Sequence, residues 1–478
     1  MSSTRNCVKG SWIYTGQAIA RWTNGLDWDL GNWAITSLAF WNRFRAGSLL
    51  GGVSVSFGMR MADMALGYAL SVALARFLGV DSFGLYSFAL STITLLALPA
   101  RFGLPPLIVR ECGKALAAGQ GGALLAIKRW AYVRVLTVSL PVMVLTVLAL
   151  SLFPQKIDAE ERILLLVGLA LVALFPIAEI RSALLRGMNH IAKSQLANSI
   201  VRPLVMLPMV GALIIGWQNG LRLPFDPAVL VMGMNVVATI VAWIVGSYLL
   251  RRVLTNQEAD DGQDYKVSGW KASLLALGLA NGMYVIDGQL GIILVGLFSD
   301  NAQVGLYKVA MQGATLVALG YAATNTPLAP RIARAWAEGR HEAVRSLARR
   351  GARFSIAFAL PLALAFLFAG EPLIRLVFGD EYAGAALPLA ILTAGQLVNC
   401  AFGSATALLN MTNNEKWNTL AFGGAMAVNL ALAILLVPRF GGTGAAVAAA
   451  ISVVLRNCLL WTAARKLTGI DTGFWAKI

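Results

Sequence analysis

The chain alternates long apolar runs with short polar segments. Runs of 18 or more mainly apolar residues recur from about residue 50 to residue 466. A helix needs about 20 such residues to cross a hydrocarbon core about 30 Å thick. Because backbone groups in lipid must be hydrogen-bonded within the spanning segment, each run is predicted to be helical. The pattern predicts an all-α integral membrane protein with about twelve transmembrane helices, at 50–77, 83–103, 131–153, 162–185, 193–216, 227–250, 272–298, 303–328, 352–370, 384–410, 417–437 and 444–466.

Two motifs recur at similar spacing and divide the spans into two sets of six. The tripeptide Gly-Leu-Tyr at 84–86 returns at 305–307. The segment SALLRGMNHIAKSQ at 182–195 has a counterpart, TALLNMTNNEKWN, at 406–418. The Ala-Leu-Leu that both segments contain recurs after almost the same interval. An even number of spans in each half means that both halves enter the membrane from the same side. The sequence therefore predicts a parallel repeat of two six-helix lobes, with its axis along the membrane normal.

Loop charge predicts the orientation and the domain boundaries. Lys and Arg concentrate in the loops that follow even-numbered spans, as they do in cytoplasmic loops, so both termini are predicted to be cytoplasmic. The basic segments 105–130 and 331–350 are predicted to be either amphipathic helices at the inner surface or solvated loops. The predicted regions are an extension that is cytoplasmic, interfacial or due to a misassigned start (1–48), an N-lobe (49–250), a cytoplasmic linker (251–271), a C-lobe (272–467) and a cytoplasmic tail (468–478).

Composition narrows the class of protein. Apolar residues make up 58% of the chain and charged residues 13%, against about 25% charged residues in soluble domains. The net charge of +16 fits basic inner loops, and no base-reading module is recognisable, so no nucleic-acid partner is predicted. The four scattered cysteines indicate neither a metal site nor a disulfide framework. Since no P-loop is present, no ATP-driven step is predicted. No catalytic residue and no cofactor are predicted either.

Ionisable side chains inside spans are the candidate functional residues. A charge at the centre of a membrane helix costs roughly 2.5–3.5 kcal/mol and usually faces a cavity or a partner. Arg60 and Asp63 share one helix face, so they either line a cavity or form a local ion pair. Arg60, Arg202 and Arg456 are predicted to be cavity cations that bind an anionic substrate. Asp63 and Asp287 are predicted to couple a proton or sodium ion. Snorkelling to the interface is predicted for Arg134, Glu179, Arg181 and Lys308.

Several further motifs cover most of the chain: ARFLGVDSFGLYSFALS at 75–91, RFGLPPLIVREC at 101–112, LLRGMNHIAKSQ at 184–195, the segment 377–416, and PRFGGTGAAVAAAIS at 438–452. They resemble bacterial polysaccharide-biosynthesis flippases of the multidrug/oligosaccharidyl-lipid/polysaccharide exporter superfamily. The resemblance implies a MATE-like fold, with two lobes around a central cavity. It also implies translocation of a polyprenyl-diphosphate-linked oligosaccharide across the inner membrane by alternating access, for a surface lipopolysaccharide or exopolysaccharide.

Three alternatives remain at this point. A MATE-like drug/cation antiporter would favour an acidic cavity, because its substrates are cationic. A peptidoglycan-precursor flippase is expected, from resemblance, to have fourteen spans. A membrane glycan polymerase or ligase is an enzyme and needs a large outer loop, whereas the longest outer loops predicted here have about ten residues. The preferred prediction is a non-enzymatic transporter whose partners are a lipid-linked oligosaccharide, the bilayer, a coupling ion and polysaccharide polymerase machinery.

Overall fold

The computed structural model describes residues 49–152, 158–220, 224–255 and 270–476. Helices account for nearly all of these residues, and no β-strand occurs among them. The prediction of an all-α membrane protein is therefore confirmed. The N-terminal extension at 1–48 and most of the predicted linker, at 256–269, lie outside the described residues.

The first half begins with the longest of its helices, interrupted at Gly79, where φ is 74° and ψ is 174°. A straight helix of its 48 residues would measure about 72 Å, more than twice the thickness of the hydrocarbon core. The interruption falls at the predicted first hairpin tip. The elements are α1 Leu49–Leu96, α2 Leu98–Arg101, α3 Leu104–Ala117, α4 Gly121–Leu152, α5 Ala159–Gly168, α6 Leu171–Gly187, α7 Ile191–Gln195, a π-helix Leu196–Val201, α8 Arg202–Gln218 and α9 Pro227–Leu254.

The second half ends with a helix of 54 residues that is likewise interrupted at a glycine, Gly441 (φ 52°, ψ −134°). The interruption falls between the eleventh and twelfth predicted spans. The elements are α10 Trp270–Phe298, α11 Asn301–Ala337, α12 His341–Phe378, a 3-10 helix Asp380–Ala385, α13 Ala386–Phe402, α14 Ala405–Met411 and α15 Glu415–Thr468.

The number of membrane crossings is only partly tested. Among the described residues, nine helical segments are long and apolar enough to cross a membrane, by length and composition. Two of them, Gly58–Leu96 in α1 and Glu415–Thr468 in α15, each overlap two predicted spans. The predicted eighth span lies in α11, which is not one of the nine. The count of twelve therefore stays a prediction.

Some predicted elements differ in continuity from the observed ones. The basic segments 105–130 and 331–350 are largely helical, and each turns at a left-handed glycine. The sequence predicts a continuous tenth span at 384–410. This is wrong, because the chain breaks at Gly403, with φ 66°, between α13 and α14. A Cβ at Gly403 would lie 2.5 Å from the carbonyl oxygen of Thr472 and 2.7 Å from the Cβ of Ala352. Close packing of the tail against this point explains the break.

Left-handed backbone positions recur along the chain. Asn and Gly tolerate this conformation, which costs other residues roughly 1–2 kcal/mol. The interval between the members of each pair is close to that between the repeated sequence motifs. The same turns thus occur in both halves, as the parallel repeat predicts; the limits of the two lobes stay predictions. The pairs are Gly119 and Gly339 (φ 71° and 70°), Asn189 and Asn413 (61° and 62°), and Gly220 and Gly441 (89° and 52°).

The two Gly-Leu-Tyr motifs lie against each other at what we call the tip end, defined by residues 79–86 and 300–307. A Cβ on Gly84 would overlap the carbonyl oxygen of Asn301. A Cβ on Gly305 would overlap the carbonyl oxygen of Val80. Because only glycine permits such an approach, the motif holds the halves together through backbone contact.

Side chains of α1 extend this contact. The Ser71 hydroxyl donates to the Gln312 side-chain oxygen at 2.7 Å. The Arg76 guanidinium donates to the Val377 carbonyl at 2.8 Å. In the reverse direction, the Tyr382 hydroxyl donates to the carbonyl of Ala75 at 2.9 Å. The halves are therefore in contact at the tip end and along the adjoining part of α1.

The opposite end, which carries the basic segments 101–114 and 331–353, also has a contact between the halves. The Phe102 ring occupies the space that a side chain on Gly278 would need. A Cβ on Gly103 would overlap the carbonyl oxygen of Leu274. We call this the basic end. Here the contact runs between the end of the first hairpin and the start of α10.

Candidate functional site

Arg202 is held in one orientation by residues from three other helices. It is the first residue of α8 and directly follows the π-helix. Its Nε and Nη2 both donate to the side-chain oxygen of Asn235, at 3.2 and 2.8 Å. The Asn235 amide nitrogen donates to the Tyr86 hydroxyl at 2.7 Å. The guanidinium also lies over the Phe175 ring, 5.0 Å from its centroid. Neutral partners thus position the cation without cancelling its charge.

Arg60 and Asp63 lie beside Arg202. The Asp63 carboxyl is near the Ser199 hydroxyl and interacts electrostatically with both arginines. Arg60 is exposed, and Asp63 and Arg202 are partly exposed. The structure therefore brings together three of the five predicted site residues. This N-terminal cluster, defined as Arg60, Asp63 and Arg202, contains two cations and one carboxylate.

Asp287 occupies the corresponding place in the second half but has different neighbours. The interval from Asp63 to Asp287 is close to that between the repeated motifs. The Asp287 carboxylate accepts a hydrogen bond from the Asn429 side chain at 3.3 Å. It also interacts electrostatically with Tyr307. Tyr307 is in turn the counterpart of Tyr86 in the repeated Gly-Leu-Tyr motif. In the second half, Asp287 and Tyr307 therefore lie near each other. In the first half, Arg202 lies near both members of the equivalent pair, Asp63 and Tyr86.

Arg456 lies in aromatic surroundings. Its guanidinium carbon is 5.1 Å from the centroid of the Phe422 ring, and its charge acts on Tyr321. Within the described residues, no hydrogen bond or ion pair joins Arg456 or Asp287 to the N-terminal cluster. That all five residues face one cavity stays a prediction.

Arg181, which is predicted to snorkel, is placed otherwise. Arg181 is only 1% exposed, and its guanidinium donates to the Asn198 side chain at 2.6 Å and to a backbone carbonyl of α9 at 2.9 Å. Gly246 makes room for it, since a Cβ there would overlap the guanidinium. Glu179 pairs with Arg101. The snorkelling prediction is wrong for Arg181, because packing between helices supplies polar partners inside the bundle. For Glu179, whose side chain is 36% exposed, it stays a prediction.

Two family profiles match the chain. The profile of the family described as polysaccharide biosynthesis protein matches residues 49–336, more than half of the chain. The chain belongs to the polysaccharide biosynthesis protein family. The MatE profile also matches, at residues 276–435. Together the two matches support a flippase of the exporter superfamily that the sequence motifs resemble.

Individual relatives agree with this family. The chain is 22% identical over 389 residues to the "Probable low-salt glycan biosynthesis flippase Agl15" of Haloferax volcanii, covering 80% of this chain and 77% of that protein. Two solved structures share its fold, each at 13% identity. One is an inward-facing multidrug resistance MATE transporter, with a TM-score of 0.66 and coverage of 87% of this chain and 98% of that one. The other is the lipid II flippase MurJ in an inward closed conformation, with a TM-score of 0.63 and coverage of 85% and 87%.

Sequence reasoning missed three residues of the site in this family member. Asn235 is the amide that holds Arg202, and it lies alone in an apolar stretch of the sixth predicted span. That isolation was the available signal, because a buried amide in a membrane helix needs a partner. Tyr86 was recognised only as part of a repeated motif. Phe175 gave no signal, since an aromatic residue in a span is ordinary.

Proposed function

We propose that the chain translocates a polyprenyl-diphosphate-linked oligosaccharide from the inner to the outer leaflet of the cytoplasmic membrane by alternating access, for surface polysaccharide biosynthesis. The observation that carries this proposal is the N-terminal cluster, where two arginines lie near one carboxylate and interact with it electrostatically. Planar guanidinium donors pair bidentately with phosphate oxygens. A charge at membrane depth is costly and usually marks a functional site, and two arginines are suited to bind a diphosphate.

The hydrogen bonds of Arg202 support this role. Asn235 accepts from two nitrogens of the guanidinium, which leaves its other donors for a ligand. Because Asn235 is neutral, the positive charge remains available to the diphosphate. A carboxylate in its place would bind the arginine more tightly but would compete with the substrate.

Asp63 acts in this mechanism as the counter-ion of the empty site. The incoming diphosphate displaces it from Arg60 and Arg202, and it pairs with them again when the substrate leaves. Asp287 hydrogen-bonds to an amide, and we assign it the coupling of a proton or sodium ion. Arg456 provides a second cationic position for the headgroup. The lipid tail stays in the bilayer while the halves rock about the membrane normal.

The proposal extends to topology and partners. Both termini lie in the cytoplasm, because the basic end carries the Lys- and Arg-rich loops. The tip end then faces the outer side. Delivery of the oligosaccharide at the outer leaflet makes polysaccharide polymerase machinery the expected downstream partner.

An assay with reconstituted protein tests the proposal. Liposomes carry a fluorescent polyprenyl-diphosphate-linked oligosaccharide, and its arrival in the other leaflet is followed with a membrane-impermeant quencher. We expect Arg60→Ala to lower the translocation rate at least about 10-fold, because hydrogen bonds to charged groups are worth about 1.5–3 kcal/mol. The control is Arg439→Ala, which removes an exposed arginine outside the cluster.

Two results would contradict the proposal. One is an unchanged rate in Arg60→Ala at equal protein content. The other is transport of organic cations with no movement of the lipid-linked oligosaccharide, which would establish a drug/cation antiporter. The same assay is run in parallel with a lipid-linked peptidoglycan precursor. Faster translocation of this precursor than of the oligosaccharide would favour a peptidoglycan-precursor flippase.

A further inference from the structure

A groove of about 430 Å³ lies near the basic end, apart from the N-terminal cluster. It is formed where the first hairpin ends and α10 begins, so its walls come from both halves. Among the described residues that line it, the walls are apolar except for one arginine. Among the residues that line it are Leu98, Pro99, Phe102, Leu104, Leu274 and Arg134.

The groove exists because the helix of the second predicted span is broken. α1 ends at Leu96, and the short α2 has proline in its first turn. Gly103 then takes a left-handed conformation (φ 68°) before α3 begins. Proline cannot donate a backbone hydrogen bond, so the chain cannot continue straight from α1 into α3. The offset opens the groove, and Phe102, packed on Gly278, forms the wall at the seam between the halves.

Arg134 supplies the charge at this groove. It is exposed on α4, and no charged residue follows it from Val135 to Leu152. It therefore stands at the inner boundary of a long apolar run. Its guanidinium has no hydrogen bond or ion pair with another described residue. An arginine at the membrane boundary can extend its guanidinium to a lipid phosphate and pair with the phosphate oxygens. The apolar groove beside it is suited to a hydrocarbon chain.

We infer that this groove binds the lipid carrier of the substrate, with the isoprenoid chain against Leu98 and Leu274 and the phosphate on Arg134. The inference rests on the proposed function. A single apolar groove with Arg134 beside it matches a lipid that has one hydrocarbon chain with the phosphate attached directly to it. A glycerophospholipid has two chains joined through glycerol and matches it less well. Because both halves form the walls, a chain held here keeps its headgroup beside the seam through which it must enter.

Binding of farnesyl phosphate, a single isoprenoid chain with one phosphate and no sugar, tests the inference. A photoreactive farnesyl phosphate is crosslinked to the full-length protein in phosphatidylcholine nanodiscs, and labelled peptides are identified by mass spectrometry. We expect labels on residues 98–104 and 274, displaced by farnesyl phosphate at least about 10-fold better than by farnesol, since a charged hydrogen bond is worth about 1.5–3 kcal/mol.

Two variants and a control sharpen this test. Arg134→Gln should reduce labelling about 10-fold through loss of that charged interaction, and Leu274→Trp should block it by filling the groove. Arg129→Gln should leave it unchanged, because this exposed arginine of α4 does not line the groove. Size-exclusion profiles of the variants check folding. Labelling elsewhere, equal displacement by phosphatidylglycerol, or no effect of Arg134→Gln would overturn the inference.

This test is separate from that of the translocation itself. Farnesyl phosphate carries no oligosaccharide, so Arg60→Ala should still bind it at the groove. Normal groove binding without translocation of the lipid-linked oligosaccharide would defeat the proposed function alone. Wild-type translocation by both Arg134→Gln and Leu274→Trp would defeat the groove as a carrier site and leave the proposed function intact.

Discussion

At the tip end the two halves present the same contact to each other, whereas at their centres they present different chemistry. Gly84 and Gly305 each lie against backbone of the other half. Asp63 faces two arginines, while Asp287, at the equivalent position, faces an asparagine. The scaffold is thus repeated and the polar centre is not. The proposed diphosphate binding therefore rests mainly on the first half, where two arginines lie near one carboxylate.

A physical reason accounts for the two behaviours. In a parallel repeat the motif of each half meets the other half in an equivalent way, so a side chain on either glycine would meet the same kind of backbone contact. The centres do not pack against their counterparts in any described contact. Their residues are therefore free to differ, and the first half has a cation, Arg202, with an amide, Asn235, to hold it.

The largest expected effect contrasts the two carboxylates. Asp63→Asn removes the counter-ion of Arg60 and Arg202, so the diphosphate should bind about 10-fold more tightly and leave about 10-fold more slowly, about 1.4 kcal/mol in each case. Asp287→Asn should leave the affinity within about twofold and abolish the dependence of transport on the coupling ion. Binding of a lipid-linked oligosaccharide and single-turnover translocation, with and without a proton or sodium gradient, measure both.

Equal behaviour of these two variants would contradict the different roles assigned to Asp63 and Asp287. If Asp63→Asn and Asp287→Asn both lost ion dependence with unchanged affinity, the two carboxylates would share one role. The N-terminal cluster would then not be the binding site. Matched protein levels in the membrane are required for either conclusion.

Most of the helical framework and the repeat follow from the sequence, because both depend on local patterns. Apolar run length predicts spans, and Gly-Leu-Tyr marks equivalent tips. The partner of Arg202 cannot be predicted from the sequence, because Asn235 lies on another helix. The hydrophobic pattern of each helix does not determine which residues of two helices face each other. Burial of Arg181 depends likewise on the room that Gly246 leaves on a facing helix.

The second prediction concerns the tips. Gly84→Ala and Gly305→Ala each place a Cβ where a carbonyl oxygen of the other half lies, so both should separate the tips and open that end. Labelling of Ser71→Cys by a membrane-impermeant thiol reagent should rise several-fold in each, because Ser71 otherwise bonds across the seam to Gln312. Native cysteines are replaced beforehand.

The control for the tips is on the same helix. Gly67→Ala adds the same methyl group where nothing lies within 4 Å, and it should leave labelling unchanged. A response to Gly84→Ala without one to Gly305→Ala would show that the tip contact, like the centre, is asymmetric. No response to either would mean that these glycines do not hold the tip end closed.

The smallest expected effect tests whether the repeated turns bear equal strain. Asn189 and Asn413 have left-handed backbones with φ 61° and 62°. Alanine lacks the short polar side chain that eases this conformation, so Asn189→Ala and Asn413→Ala should each lower the free energy of unfolding by about 1 kcal/mol. The glycine variants should be nearly neutral, because glycine adopts positive φ readily. Thermal unfolding in one detergent gives all four shifts. Equal alanine penalties would extend the likeness of the halves from the tips to these inner turns, whereas a penalty at one turn only would confine it to the place where the halves touch.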